Sequence, residues 1–142
     1  MDHHKAVEAY LTASGHRFEV DQFKSQAVYR YSVANEETMG NAIDVEIFIK
    51  PYSGYFNLFA YSPRSIAEDR RAEFLELFAE KNFNNEPFKT ELNPSTGRVR
   101  CGFSSILMDE CLASDQLTKM EKISVTLIRS LDPLLQAAED DE

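Results

Sequence analysis

His3, His4 and His16, Cys101 and Cys111, and the acidic pairs Glu36-Glu37 and Asp109-Glu110 are the side chains with which this chain could move protons, hold a metal or attack a substrate. Their spacing argues against each. Histidine pairs that bind a metal from a helix stand at i and i+4, on one face. His3 and His4 are adjacent and point apart, and no cysteine or carboxylate cluster stands at ligand spacing beside any of the three histidines. The two cysteines make neither a disulfide framework nor a metal motif. Free cysteine is among the most buried residue types, so one is expected in a strand core and the other in a loop or at a helix edge. The acidic pairs fall in expected loops with no His or Lys companion for general acid–base work. There is no nucleophile elbow, Walker loop or dinucleotide glycine fingerprint: the five glycines stand at turns, apart from Gly102 in a strand. No catalytic residue, metal or cofactor is expected.

Binding chemistry is better represented, and the elements show where. Ile43, Val45, Ile47 and Ile49 alternate with Asp44, Glu46, Phe48 and Lys50, the cleanest period-two segment in the chain, so the β-branched side must face a core. Across a turn at Pro51-Tyr52-Ser53-Gly54, Phe56, Leu58 and Ala60 oppose Tyr55, Asn57, Phe59 and Tyr61. If Phe56 and Leu58 are core, then Phe48, Tyr55, Phe59 and Tyr61 gather on the outer face of an antiparallel sheet, where one-sided burial predicts polar residues. Two readings follow. An extended peptide docks there by strand addition or aromatic contacts, or the second helix or a dimer partner covers the patch.

The remaining elements frame these strands. Asp2 to Ser14 reads as a short helix with Val7, Tyr10 and Leu11 on one face and Gly15 as its stop. Gln26 to Ala34 is a weaker strand; Arg17 to Asp21 is either one more short strand or a lead-in. A second helix is expected from a capping box at Ser65 and Glu68 to about Asn82, with Ala67, Arg71, Phe74, Leu75 and Phe78 on one face. From about Phe88 to Ser104 the pattern is a hairpin. Phe88, Thr90 and Leu92 alternate on one side of Asn93-Pro94-Ser95-Thr96-Gly97 and Val99, Cys101 and Phe103 on the other, and the five turn residues suit a tight reversal at every position. The last helix, capped at Ser114, carries Leu117, Met120, Ile123, Leu127, Ile128, Leu131, Leu134 and Leu135, with a kink or restart expected at Asp132-Pro133.

Composition excludes several classes. With 15 Lys and Arg against 24 Asp and Glu, the formal charge is −9, and such a chain repels a phosphate backbone. Arg70-Arg71 and Arg98/Arg100 are small basic groups interspersed with acids. No run of about 20 apolar residues is present to span a membrane, and no secretory signal is seen at the N-terminus, so a cytoplasmic protein is expected.

Pro63 with Arg70-Arg71, Asn82-Phe83 at the end of the second helix, Phe88, the run Leu92 to Arg100, and Pro133 followed by Leu134-Leu135 resemble the YbjN family and, more distantly, the type III secretion chaperones of similar fold. Glu86-Pro87 stands where the family tends to have Gly before the hairpin Phe, and Asn93 where it has an acidic residue. The resemblance covers most of the chain as an order of elements and carries no catalytic residues. It implies a bacterial, chaperone-like or regulatory protein, usually dimeric, that binds an extended part of a protein client.

The expected fold is therefore α+β: helix, three strands, helix, two-strand hairpin, helix, with a five-stranded antiparallel sheet and its helices mainly on one face. Residues 1–136 form a single domain and 137–142 an acidic tail. The expected function is non-catalytic protein or peptide binding through Phe48, Tyr55, Phe59 and Tyr61, in a homodimer. The alternatives are a structural homo-oligomer with the aromatic face buried between subunits, and a small-molecule-binding domain.

Overall fold

A computed structural model describes residues 3–23, 26–33, 42–50, 54–84, 87–106 and 113–139. Asp2, Glu36-Glu37, Gly40, Pro51 to Ser53, Asp109-Glu110, Cys111 and residues 140–142 lie outside the described residues. The elements are α1 (His3–Ala13), β1 (Glu19–Phe23), β2 (Gln26–Val33), β3 (Ile43–Lys50), β4 (Tyr55–Ser65), a single 3-10 turn (Glu68–Arg70), α2 (Arg71–Asn84), β5 (Lys89–Leu92), β6 (Arg98–Ile106) and α3 (Ser114–Ala137). The strands form one antiparallel sheet in the order β1-β2-β3-β4-β6-β5.

The sheet has six strands, one more than expected. Glu19–Phe23 pairs with β2 along its whole length. Its alternation is faint in the sequence because it is an edge strand, with Glu19, Asp21 and Gln22 exposed and Val20 half-exposed. An edge strand has little buried face to impose a pattern.

The core lies between this sheet and α3, which packs on β4 and β6. Ile43, Val45, Ile47 and Ile49 of β3 and Phe56, Leu58 and Ala60 of β4 are fully buried, and Leu117, Ile128 and Leu135 of α3 meet them from above. Val7, Tyr10 and Leu11 of α1 join the same core. Gly15 ends α1 with φ +76°, as a helix stop requires.

Four helix expectations are corrected. Ser65 is not a cap: it is the last residue of β4, paired with Arg98. The next residue, Ile66, is fully buried and donates its N–H to Gly97 O (2.8 Å), so the chain stays extended and α2 begins only at Arg71. On α2, Phe74 and Phe78 are buried but Leu75 is exposed. Ser114 is the first residue of α3 rather than its cap, and Ala113 precedes it without a side-chain cap. α3 runs unbroken through Pro133, with Leu131, Asp132 and Leu135 buried around that turn and Leu134 outside. Of the expected tail, residues 137–139 belong to the fold: Ala67 N–H bonds to Ala138 O (2.9 Å) and Ile66 bridges to Glu139.

The hairpin forms as its turn residues dictate. Asn93 Oδ1 accepts from Ser95 N–H (2.9 Å), Gly97 N–H donates to Asn93 O (2.8 Å), and Gly97 takes φ +77°. The two sheet edges differ. Asn82 at the end of α2 gives Thr90 both amide bonds a neighbouring strand would give, Nδ2 to Thr90 O and Thr90 N to Oδ1, each 2.8 Å. That closes the β5 edge. Asn82→Ala should destabilise the fold by about 1–3 kcal/mol, read from urea unfolding, and should speed amide exchange at Thr90 well beyond that at Val99.

Candidate functional site: the outer face of the sheet

The period of two that buries Ile43 to Ile49 sends the opposite residues to the face away from α3. Strand register orders them in rows. Ser32, Asp44, Tyr61, Arg100 and Glu91 cross the sheet at one end. Next come Glu19, Arg30, Glu46, Phe59, Gly102 and Lys89, then Asp21, Val28, Phe48, Asn57 and Ser104. Lys50, Tyr55 and Ile106 close the other end. Phe48, Tyr55, Phe59 and Tyr61 therefore share one face, as alternation predicts.

They do not make a bare aromatic patch. Phe59 is only 6% exposed. Its ring lies over Gly102, where a Cβ would collide with the Leu58 carbonyl and with the ring itself. The Arg100 guanidinium covers the ring from outside, 3.8 Å from its centroid. Arg98 stacks over Tyr61 at 4.3 Å, and Lys50 sits over Phe48 and Tyr55 at 4.7 and 5.3 Å. Cation–π contact of this kind lets an aromatic face water while its ring is shielded.

The face divides into two zones. At the Tyr61 end, charges alternate: Arg30 binds Asp21 and Glu46, Arg98 reaches Asp44 (3.4 Å), and Arg100 donates Nε–H to Glu91 (2.9 Å) and Nη1–H to Tyr61 Oη (3.2 Å). Five basic side chains, Arg30, Lys50, Lys89, Arg98 and Arg100, meet five acids, Glu19, Asp21, Asp44, Glu46 and Glu91, so this face is neutral on a chain of charge −9. Burial works against the Arg100 charge, but Tyr61 and Glu91 outweigh it and raise the pKa. Burial also raises Tyr61, against the lowering pull of Arg100, and keeps the phenol protonated. At the Tyr55 end, beside Lys50 and Ser104, the surface is otherwise largely apolar. Ile106 is 69% exposed, Phe48, Tyr55 and Val28 are half-buried, and the buried Asn57 Oδ1 between them has no donor among the described residues. Alternation had grouped the aromatics. It placed Asn57 outward without marking it as a contact, and it missed Ile106 and the shielding of Phe59, although a glycine inside a strand does signal close approach.

The remaining chemistry is structural. Glu121 Oε1 accepts from Tyr31 Oη (2.6 Å) and lies 3.2 Å from His16 Nε2, while His16 stacks on Tyr31 at 4.6 Å. Burial first, and Glu121 second, raise the pKa of Tyr10 and Tyr31. This cluster latches the α1–β1 connection to α3; distance along the chain hid Glu121 as the partner of His16. Cys101 is fully buried in β6, as expected of one cysteine, with Sγ 3.3 Å from Thr90 Oγ1. No group of three metal-ligating side chains occurs among the described residues, and no helix there is long and apolar enough to cross a membrane. No family model, curated protein or solved structure matches the chain.

Two outcomes follow. Gly102→Ala forces Phe59 off its seat and should destabilise by about 1–3 kcal/mol, seen as a lower melting temperature with a changed Phe59 ring environment by NMR. Burial pushes the Cys101 thiol up to about 11. The folded form thus holds its proton longer than the unfolded chain, whose thiol ionises near pH 9. Stability contributed below that pH is lost as pH rises toward 11, by about 2 kcal/mol. Denaturation between pH 8 and 11 should show a shallower decline for Cys101→Ala than for the parent.

Proposed function

We propose that this chain is a non-catalytic binding module that holds an extended segment of a client protein on the outer face of its sheet. Its role is chaperone-like or regulatory, in a dimer in a bacterial cytoplasm. The observation that carries the reading is the largely apolar end of the face: Ile106, Tyr55, Phe48 and Val28 around an Asn57 Oδ1 that has no donor among the described residues. Exposed apolar area of this kind, next to a buried acceptor, suits a peptide that brings both side chains and backbone N–H groups. The resemblance to the YbjN family and the secretion chaperones supports the same reading, as does the α+β order with its helices gathered against one side of the sheet.

The client contacts of this proposal are Phe48, Tyr55, Asn57 and Ile106. Phe59 and Tyr61 support them from beneath Arg100 and Arg98 rather than touching the client. Ile106→Asp places a charge on the exposed strip while leaving the core intact. Affinity purification from the native host should yield a stoichiometric partner with the parent protein and lose it with Ile106→Asp, at unchanged mass by light scattering. A partner retained by the variant, or none at comparable amounts with the parent, sinks the client reading. A change of mass in the variant would instead make the strip a contact between copies.

A further inference from the structure

Between Tyr61, which pairs with Arg100, and Ser65, which pairs with Arg98, β4 advances four residues while β6 advances two. Such bulges re-aim side chains and interrupt a flat ladder. Ser62 turns inward and is buried, its Oγ accepting from Arg64 N–H (3.1 Å). Arg64 follows it to the helical side and binds Asp132 (2.8 Å) and Glu139 (3.0 Å). The outer side is left hollow. It holds a cavity of about 640 Å³ lined by Arg98, Arg100, Tyr61, Ser65, Thr96 and Glu91.

Two guanidinium groups converge there on one tyrosine. Arg98 lies over the Tyr61 ring and Arg100 donates to its hydroxyl while stacking on Phe59. Contact with an aromatic ring holds each guanidinium in place, and a guanidinium fork suits a planar acceptor. A guanidinium carries five N–H donors. Among the described residues, Arg98 commits its side chain to Asp44, and Arg100 to Glu91 and Tyr61, which leaves donors on both without an acceptor. The hydroxyls of Ser65 and Thr96 add further donors at the rim. Glu91 on Arg100 and Asp44 on Arg98 already balance the two positive groups, so the cavity is close to neutral on a strongly acidic chain.

We propose that this cavity binds the carboxylate of a small organic ligand in the fork between Arg98 and Arg100. Glu91 and Asp44 oppose a dianion such as phosphate more than a monoanion, and the carboxylate plane fits the remaining guanidinium edges. The volume is that of an ordinary small-ligand site. The free carboxyl end of a peptide carries the same group. This site lies at the opposite end of the face from Ile106 and stands or falls apart from the client reading.

The test is a titration of isotope-labelled protein at low ionic strength, read at the arginine Nε–Hε signals. The probes are sodium acetate and N-acetyl-trialanine, as free acid and as amide. Arg98 and Arg100 should shift saturably with both carboxylates, and the amide should bind about tenfold more weakly or worse. Arg98→Gln, at an exposed position, should weaken carboxylate binding by a similar factor at unchanged melting temperature. Glu91→Gln, which removes the competing carboxylate, should tighten it several-fold. Affinity for the peptide acid about tenfold above that for acetate supports a chain terminus as the natural source, and equal affinities support a free ligand. Shifts that never saturate and spread over all arginines, or an Arg98→Gln variant that binds as before, overturn the proposal.

Discussion

Burial of one face of β3 and β4 beneath α3 is the constraint on which everything else rests. Seven consecutive inward positions, Ile43, Val45, Ile47 and Ile49 on one strand and Phe56, Leu58 and Ala60 on the next, have no exposure to water. A slip of one residue in β3 would exchange its part of that row for Asp44, Glu46, Phe48 and Lys50, which holds the register in place. Once it is set, so is the membership of the outer face.

That outer face has to stay soluble while carrying four aromatic rings. The solution is local: each ring receives a cation from the same face, Lys50 for Phe48 and Tyr55, Arg100 for Phe59 and Arg98 for Tyr61. Acids hold those arginines in turn, Glu91 from the adjacent β5 and Asp44 from β3, two strands away. Such exposed ion pairs add little stability singly. Their effect here is positional, because they hold the guanidinium groups over the rings. Shielding weakens toward Ile106, and so the face ends in an apolar strip.

The frame around the face is tied together by contacts between distant parts of the chain. Arg71 donates to Ile66 O (2.9 Å) and to Pro94 O and Ser95 O (both 3.2 Å), tying the start of α2 to the hairpin turn. Gly97 is required beneath it, since a Cβ would collide with the Ile66 carbonyl. Arg64 and Asp132, both largely buried, clamp the bulge to α3. A buried pair of this kind is destabilising to break from one side. The same clamp that carries Arg64 inward opens the cavity outside.

Much of this was legible in the chain itself. Strict alternation in Ile43 to Lys50 and in Tyr55 to Tyr61 settled which residues face out, and the turn residues Asn93 to Gly97 settled where the hairpin reverses. Both are local effects, one of side-chain period and one of backbone dihedral preference, and a sequence carries them directly. The edge strand Glu19–Phe23 was faint because little of it is buried, and Ser65 read as a helix cap because its pairing with Arg98 lies in another part of the chain. Tertiary structure alone decided that Phe59 is covered, that Asn82 closes one sheet edge, that His16 meets Glu121, and that a bulge gathers Arg98 and Arg100 about Tyr61. Each depends on residues far apart in sequence meeting at a few ångströms, which propensity and period do not encode.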